Sequence, residues 1–256
     1  MTTIRLDDVS VDIPVYNFAS ISLRKTLLSR TIGGQFTQAG SHVIVNALKT
    51  ISFDAQDGDR IGLIGSNGSG KTTLLRVLAG VYAPTRGTCE VQGDVVPVFD
   101  TSLGMNGDAT GYESIRICSA LWGLSRKETE ATLDDIIAFT ELGDYLSMPI
   151  RTYSSGMRLR LAFAIATARK PDILLLDEII GAGDANFNLK AFARLLSLVE
   201  KSRILVVASH STAIIAELCN KAMWLHQGSL IAFGPANDVL AAYASGEVPV
   251  VSEAAS

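Results

Sequence analysis

Charged residues are scarce in this chain, and no apolar run in it is long. Of its 256 residues only 19% are charged, whereas 48% are hydrophobic. Such an apolar composition can bury a large core, which argues against a disordered chain. The formal net charge of -4 provides no overall basic surface, so we expect no nucleic-acid partner.

Cysteine is also rare, and its spacing excludes two kinds of site. Cys89, Cys118 and Cys219 are far apart and form no Cys-x-x-Cys pair. We therefore expect neither a disulfide framework nor a structural zinc site. A chain of this kind suits a reducing cytosol.

No stretch of the sequence has the pattern of a membrane span or a signal peptide. Apolar runs such as ILLL and ILVVA are far shorter than the roughly 20 residues that cross a bilayer. The first residues, MTTIRLDDVSVDI, alternate and contain acids, unlike the charged start and apolar block of a signal peptide. We expect a chain that does not span a membrane by itself but can dock on a protein that does.

Apolar strands alternate with helical patterns along the chain. This alternation predicts an α/β fold with a mostly parallel sheet covered on both faces. Two consecutive helices, predicted at residues 109–122 and 126–142, interrupt it and form a helical insert. A further helix is predicted from residue 69 to 79, and residues 33–41 are predicted to be a loop because glycine and small polar residues dominate there.

A short basic amphipathic helix is predicted at residues 20–30. Leu23, Leu27 and Leu28 share one face, and arginine and lysine surround it. From the residues alone, a surface helix packed on its own domain is favoured over a helix lying at a membrane or partner.

The segment GSNGSGKT matches the spacing of a phosphate-binding loop that follows a strand and opens a helix. Glycines allow backbone N–H groups to surround a polyanion, and the helix N-terminus adds partial positive charge. Lys71 is predicted to reach the β- and γ-phosphates, and Thr72 to bind Mg²⁺. The predicted nucleotide contacts here are Gly65, Ser66, Asn67, Gly68, Ser69, Gly70, Lys71, Thr72 and Thr73.

Acids follow a buried strand, ILLLDE, and a histidine follows the later strand ILVVASH. Ligands bind at the carboxyl ends of such strands in open α/β sheets. Asp177 is therefore predicted to hold Mg²⁺ directly or through water, and Glu178 to orient or deprotonate an attacking water. His210 is predicted to hydrogen-bond a γ-phosphate.

The segment YSSGM, residues 153–157, is predicted to form a second anion-binding site. Ser154, Ser155 and Gly156 stand at a predicted helix N-terminus, where N–H groups and a hydroxyl are available. One γ-phosphate does not need two such sites from one chain. It can use both if the second site comes from another copy.

These motifs together resemble the ATP-binding subunits of ABC transporters, in order and spacing, over roughly residues 4–244. The resemblance implies a P-loop ATPase core with an N-terminal antiparallel β part and a helical subdomain at about residues 109–152. It implies one nucleotide-binding domain at residues 1–245 and a flexible tail at 246–256. Two subunits would pair head to tail, with each ATP between one copy's phosphate loop and the other copy's signature, and Asp184 would touch the partner.

Two departures from the family pattern resemble one branch, the ATPases of polysaccharide exporters. Ser155 and Met157 replace the first glycine and the glutamine of the usual Leu-Ser-Gly-Gly-Gln signature. The usual glutamine after the phosphate loop is missing, and Asp100 is nearest to its place as a possible metal ligand. The stretches SLGMNGDATGYESI and YSSGMRLRLAFA are the most specific to this branch. An aromatic residue is expected to stack on adenine, with Tyr16 the candidate and Phe18 the alternative.

This resemblance implies a peripheral ATPase on the cytoplasmic face of the inner membrane, using ATP and Mg²⁺. It implies a homodimer that drives two copies of a permease handling a lipid-linked glycan, such as O-antigen or teichoic acid. No C-terminal carbohydrate-binding domain is expected. The alternatives are an ABC exporter for a drug or small lipid, a soluble ABC-type ATPase acting on DNA or ribosomes, and a nucleotide-binding regulator without turnover.

Overall fold

A computed structural model describes residues 1–15, 36–39, 42–99, 105–177 and 185–246. The chain divides into two compact units. The first unit is Met1–Val95, Leu175–Glu178 and Arg203–Ser256, and the second is Val96–Leu174 and Ile179–Ser202. The helical subdomain predicted at about residues 109–152 falls in the second unit. The predicted helix at 20–30 and all but the first residue of the predicted tail lie outside the described residues.

The described residues contain strands and helices that alternate along most of the chain. In order they are β1 (Thr3–Val15), β2 (Phe36–Ala39), β3 (His42–Gln56), β4 (Arg60–Ile64), α1 (Lys71–Leu78), β5 (Arg86–Gln92), β6 (Val95–Val98), α2 (Gly111–Leu121), α3 (Arg126–Thr140), α4 (Ser155–Ala166), β7 (Ile173–Asp177), α5 (Ala185–Lys201), β8 (Ile204–Ala208), α6 (Thr212–Leu218), β9 (Lys221–His226), β10 (Ser229–Pro235) and α7 (Ala236–Ser245). Two short 3-10 helices, Gly143–Ser147 and Ile150–Thr152, precede α4.

The N-terminal part of the chain forms an antiparallel sheet with the order β2-β3-β1-β5. Strand β1 pairs with β3 on one side and with β5 on the other. The predicted loop at residues 33–41 is wrong over residues 36–39, because β2 pairs with β3 from Phe36 opposite Val45 to Ala39 opposite His42. The backbone groups at the edge of β3 are hydrogen-bond partners for residues 36–39. Strand pairing therefore overrides the weak preference of glycine and polar residues for a loop.

The second sheet has the order β10-β9-β4-β8-β7-β6. Strand β4 is parallel to both β8 and β9, and β10 closes an antiparallel hairpin with β9. Side chains along β8 are all buried, as are those of β4 after its first residue and of β7 before its last. Strands covered on both faces have such continuous apolar runs. The predicted fold class is confirmed.

Helix α1 begins two residues later than the sequence predicts. Gly70 precedes it with φ of 109°, in the left-handed region, and its carbonyl oxygen accepts the first helical hydrogen bond, from the Leu74 N–H. Leu74, Leu75, Val77 and Leu78 bury the inner face of the helix. The residues before Lys71 therefore form a loop rather than a first helical turn.

Side-chain caps define the helices of the second unit. Thr110 and Glu113 form a capping box at the start of α2, and Ser125 and Glu128 form another at the start of α3. Hydrogen bonds from these caps lower the pKa of both glutamates. Each cap satisfies N–H groups that the first helical turn leaves without an acceptor.

Candidate nucleotide-binding site

The loop between β4 and α1 turns back on itself through glycines. Gly65 has φ of 144° and Gly70 has φ of 109°. A Cβ atom on Gly65 would lie 2.2 Å from the backbone oxygen of Leu225, and one on Gly70 would lie 2.9 Å from that of Ala47. Side chains at these positions would displace backbone, so the loop keeps its shape only with glycine.

Lys71 holds its ammonium group at the centre of this loop. The residue is only 8% exposed. Its Nζ donates to the backbone oxygens of Gly65 at 2.8 Å and Ser66 at 3.2 Å. The loop therefore surrounds the positive charge of Lys71. The N-terminus of α1, which begins at this residue, contributes further partial positive charge.

Thr72 and Asp177 meet at the end of β7. The Thr72 hydroxyl donates to Oδ2 of Asp177 at 2.6 Å. A hydroxyl and a carboxylate that touch in this way offer two hard oxygen ligands to a cation such as Mg²⁺. Within the described ranges, no cluster of three or more His, Cys, Asp or Glu side chains is able to hold a metal ion.

Ser69 provides a test of whether this loop suits a phosphate. The residue is 1% exposed, and its Oγ has no hydrogen-bond partner among the described residues. A buried hydroxyl without a partner is destabilising, typically by about 1–3 kcal/mol. An anion bound in the loop would supply the missing acceptor, so the residues present fit a phosphate group.

The turn of the β9–β10 hairpin contacts the loop between β4 and α1 through backbone hydrogen bonds. The Gly228 N–H donates to the backbone oxygen of Ser69 at 2.9 Å, and the Gly228 oxygen accepts from the Lys49 N–H at 2.8 Å. Gly228 has φ of 82°. Sequence reasoning missed this contact, although the glycine between two strands was a visible signal of a tight turn.

These groups line one pocket of the first unit, with a volume of about 500 Å³. We call it the phosphate-binding pocket. It brings together Lys71, Thr72, Asp177 and His210, whose roles remain predictions. Its full lining is Ile13, Val45, Asn46, Ala47, Asn67, Gly68, Ser69, Gly70, Lys71, Thr72, Thr73, Asp177 and His210. Sequence reasoning missed the wall formed by β1 and β3.

The segment 153–157, which we call the signature segment, lies in the second unit. The Ser154 hydroxyl caps α4 by accepting from the Met157 N–H at 3.2 Å. Ser154 and Ser155 are exposed, and Gly156 and Met157 are half-buried. A cavity of about 460 Å³ adjoins the segment and is lined by Glu141, Leu142, Tyr145, Ser154, Gly156, Met157 and Arg160. The hydroxyl and helix N-terminus predicted from sequence are thus present together.

Several predicted site residues lie outside the described residues. They are Tyr16, Phe18, Asp100, Glu178 and Asp184. Their predicted roles stay predictions. Every helix in the described ranges is too short or too polar to cross a bilayer.

Comparison with known proteins identifies relatives along most of the chain. The family profile described as ABC transporter matches residues 48–181. The O-antigen export system ATP-binding protein RfbE of Yersinia enterocolitica is 43% identical over 229 residues, which cover 89% of this chain and 96% of RfbE. The teichoic acids export ATP-binding protein TagH of Enterococcus faecalis is 40% identical over 197 residues, 77% of this chain but only 44% of TagH.

A solved structure supports the fold alone. The ATP-binding subunit of an ABC transporter superimposes with a TM-score of 0.67 at 21% identity, over 96% of this chain and 95% of that chain.

Proposed function

Because this chain belongs to the ABC transporter family, we propose that it is the ATP-hydrolysing subunit of an exporter of lipid-linked polysaccharide. One observation carries the substrate class: 43% identity along 96% of a protein named for O-antigen export. The similarity to a teichoic acids export protein supports the same class of cargo. An ABC exporter of a drug or small lipid is the second candidate.

The phosphate-binding pocket is the proposed place of the ATP phosphates. Lys71 would neutralise the β- and γ-phosphates, and Ser69 would donate its buried hydroxyl to a phosphate oxygen. Backbone N–H groups at the start of α1 would complete the contacts. Tyr16 or Phe18 would stack on the adenine.

Thr72 and Asp177 are the proposed holders of Mg²⁺, and Asp100 is a further candidate. An ion held by these oxygens would supply positive charge that offsets the negative charge developing during phosphoryl transfer. The Thr72 hydroxyl can keep donating its hydrogen to Asp177 while an oxygen lone pair binds the ion. Both oxygens are already side by side, so little movement of the chain is required.

Hydrolysis would use Glu178 and His210. Glu178 would orient or deprotonate a water whose oxygen attacks the γ-phosphorus, and the bond between that phosphorus and the β–γ bridging oxygen would break. ADP and phosphate leave. His210 lines the phosphate-binding pocket and would hydrogen-bond the γ-phosphate.

The second half of each ATP site would come from another copy of the chain. Ser154 and Gly156 would face the γ-phosphate of the partner's ATP, with Ser155 beside them and Asp184 touching the partner subunit. ATP would thus close a homodimer, and hydrolysis would remove the bridge and open it. This cycle would drive two copies of a membrane permease that handles the lipid-linked glycan.

The proposed location is the cytoplasmic face of the inner membrane, as a peripheral subunit. The helix predicted at residues 20–30 would lie at the membrane boundary beside the permease. Its basic and apolar faces suit that position.

Purification from native membranes tests the cargo class. We expect the chain to co-purify with a polytopic permease and a polyprenyl-linked glycan. A lysine-to-alanine variant at Lys71 should still co-purify but should halt glycan export. Recovery with a drug or small-lipid transporter would favour the second candidate, and recovery as a soluble particle with nucleic acid would contradict both.

Dimer formation tests the ATP sandwich. Glu178→Gln should slow hydrolysis and accumulate an ATP-bound dimer on size exclusion. Adding Ser154→Ala to that variant should weaken the dimer while each chain still binds ATP. A persistent monomer in Glu178→Gln with ATP, or equal loss of ATP binding by an isolated Ser154→Ala chain, would contradict the proposal.

A further inference from the structure

Tyr153 stands directly before the signature serine and is anchored deep in the second unit. The residue is 4% exposed. Its hydroxyl donates to the backbone oxygen of Tyr145 at 2.6 Å. Burial raises the pKa of this phenol. The usual family signature has leucine here, which has no such hydrogen bond to make.

The space for this hydroxyl exists because residue 111 is glycine. A Cβ atom on Gly111 would lie 2.5 Å from the Tyr153 hydroxyl and 2.9 Å from Cα of Leu146. Gly111 is the first residue of α2. Thus the two stretches that the sequence marks as most branch-specific, around Gly111 and Tyr153, are in contact.

Backbone hydrogen bonds join the first of these stretches to the residues just before the signature segment. The Ile150 N–H donates to the Ala109 oxygen at 2.8 Å, and the Arg151 N–H donates to the Gly107 oxygen at 2.9 Å. Arg151 also pairs with Asp108. The backbone leading to Tyr153 is therefore held on one side by residues 107–109 and on the other by the phenol.

Ser154 is one peptide away from this anchor. Its backbone is extended, with φ of -65° and ψ of 165°, and its hydroxyl occupies the cap of α4. Small rotations at Tyr153 or Ser154 would move the serine hydroxyl and the first N–H groups of α4 relative to any ligand. Displacements near 1 Å in a positioning group can reduce catalysis severely.

We propose that the Tyr153 hydroxyl, seated against Gly111, is a positioning group that fixes the orientation of Ser154 toward the ATP of the partner copy. This inference rests on the proposed role of Ser154. Tyr153 touches no substrate in it and acts only through the serine that follows. The Gly111 contact makes the orientation of the signature dependent on the segment that begins α2.

Tyr153→Phe removes the hydroxyl and keeps the ring. We expect the ATP turnover of the full-length homodimer to fall about three- to tenfold, the size of one lost hydrogen bond. ATP binding to the isolated chain should not change, because the phosphate-binding pocket is untouched. Tyr243→Phe, in α7, is the matched control and should keep wild-type turnover. A Tyr153→Phe variant with unchanged turnover at full folding would overturn the proposal.

A double-mutant cycle with Ser154→Ala separates positioning from general stability. If Tyr153 acts through Ser154, Tyr153→Phe should lower turnover further by less than twofold once Ser154 is alanine. An equal three- to tenfold loss in both backgrounds, measured well below the melting temperature, would show a structural role and overturn the positioning role. If Ser154→Ala alone leaves turnover unchanged, the proposed ATP sandwich fails, and this inference fails with it.

Discussion

Replacing Thr72 by valine removes one hydroxyl from the phosphate-binding pocket and leaves its shape almost unchanged. In the free protein the loss is the 2.6 Å hydrogen bond to Asp177. Thr72 is exposed, so water can take the place of the hydroxyl on the carboxylate. We therefore expect the free energy of unfolding to fall by about 1 kcal/mol, or about 2–4 °C in melting temperature.

Catalysis should suffer much more than stability. If Thr72 is a Mg²⁺ ligand, valine leaves the ion with one fewer protein oxygen while charge develops on the γ-phosphate. A loss of about 2–3 kcal/mol in transition-state stabilisation corresponds to roughly a 30- to 150-fold fall in turnover. Thr72→Ser keeps the hydroxyl and should remain within about threefold of wild type.

Phosphate release measured across a Mg²⁺ titration checks this prediction. Thr72→Val should need more Mg²⁺ for its residual activity, while its binding of ATP in excess EDTA should match wild type. Wild-type turnover and Mg²⁺ dependence in Thr72→Val would refute the ligand assignment. An equal loss in Thr72→Ser, which keeps the hydroxyl, would show that loss of the hydroxyl does not by itself explain the effect.

The remaining predictions concern other residues. Lys71→Ala should abolish ATP hydrolysis in a phosphate-release assay, and unchanged turnover would remove the phosphate-loop assignment. Gly65→Ala should weaken binding of a fluorescent ATP analogue at least tenfold, because its Cβ would meet backbone at 2.2 Å. Gly111→Ala should lower unfolding stability by about 1–3 kcal/mol through overpacking against Tyr153, measured by urea denaturation. Burial raises the pKa of the Cys219 thiol to about 12. The same thiol in the unfolded chain loses its proton near pH 9, so the free energy of unfolding should fall as pH rises above this value. Cys219→Ala should reduce the loss of unfolding free energy between pH 8 and 10 by about 1–2 kcal/mol.

Features that depend only on residues close together in the sequence could be predicted from it. The glycines, lysine and threonine of the phosphate loop all lie within residues 65–72, and the apolar runs before Gly65 and at Asp177 identified the strands that hold them. The cap at Ser154 is equally local, since its acceptor and donor are three residues apart. For such features, residue type and spacing specify most of the geometry.

Contacts between residues far apart in the sequence could not be predicted in this way. Residues 36–39 look like a loop by composition and became a strand only because β3 presented an edge. The support of Ser69 by Gly228 depends on a hairpin far along the chain that returns to the loop. Neither contact leaves a local pattern, because its partner is specified by strand register and topology.

The sequence by itself determined the chemistry of this protein: a cationic phosphate loop, acids at a strand end, and a serine-capped helix with the signature of one exporter branch. The tertiary structure alone decided how those groups are held. It placed Asp177 against Thr72, left the Ser69 hydroxyl buried without an acceptor among the described residues, and seated Tyr153 in the space beside Gly111. The kind of functional group is a property of single residues and their spacing in the sequence. The orientation of each group depends on which parts of the chain, distant in sequence, pack around it.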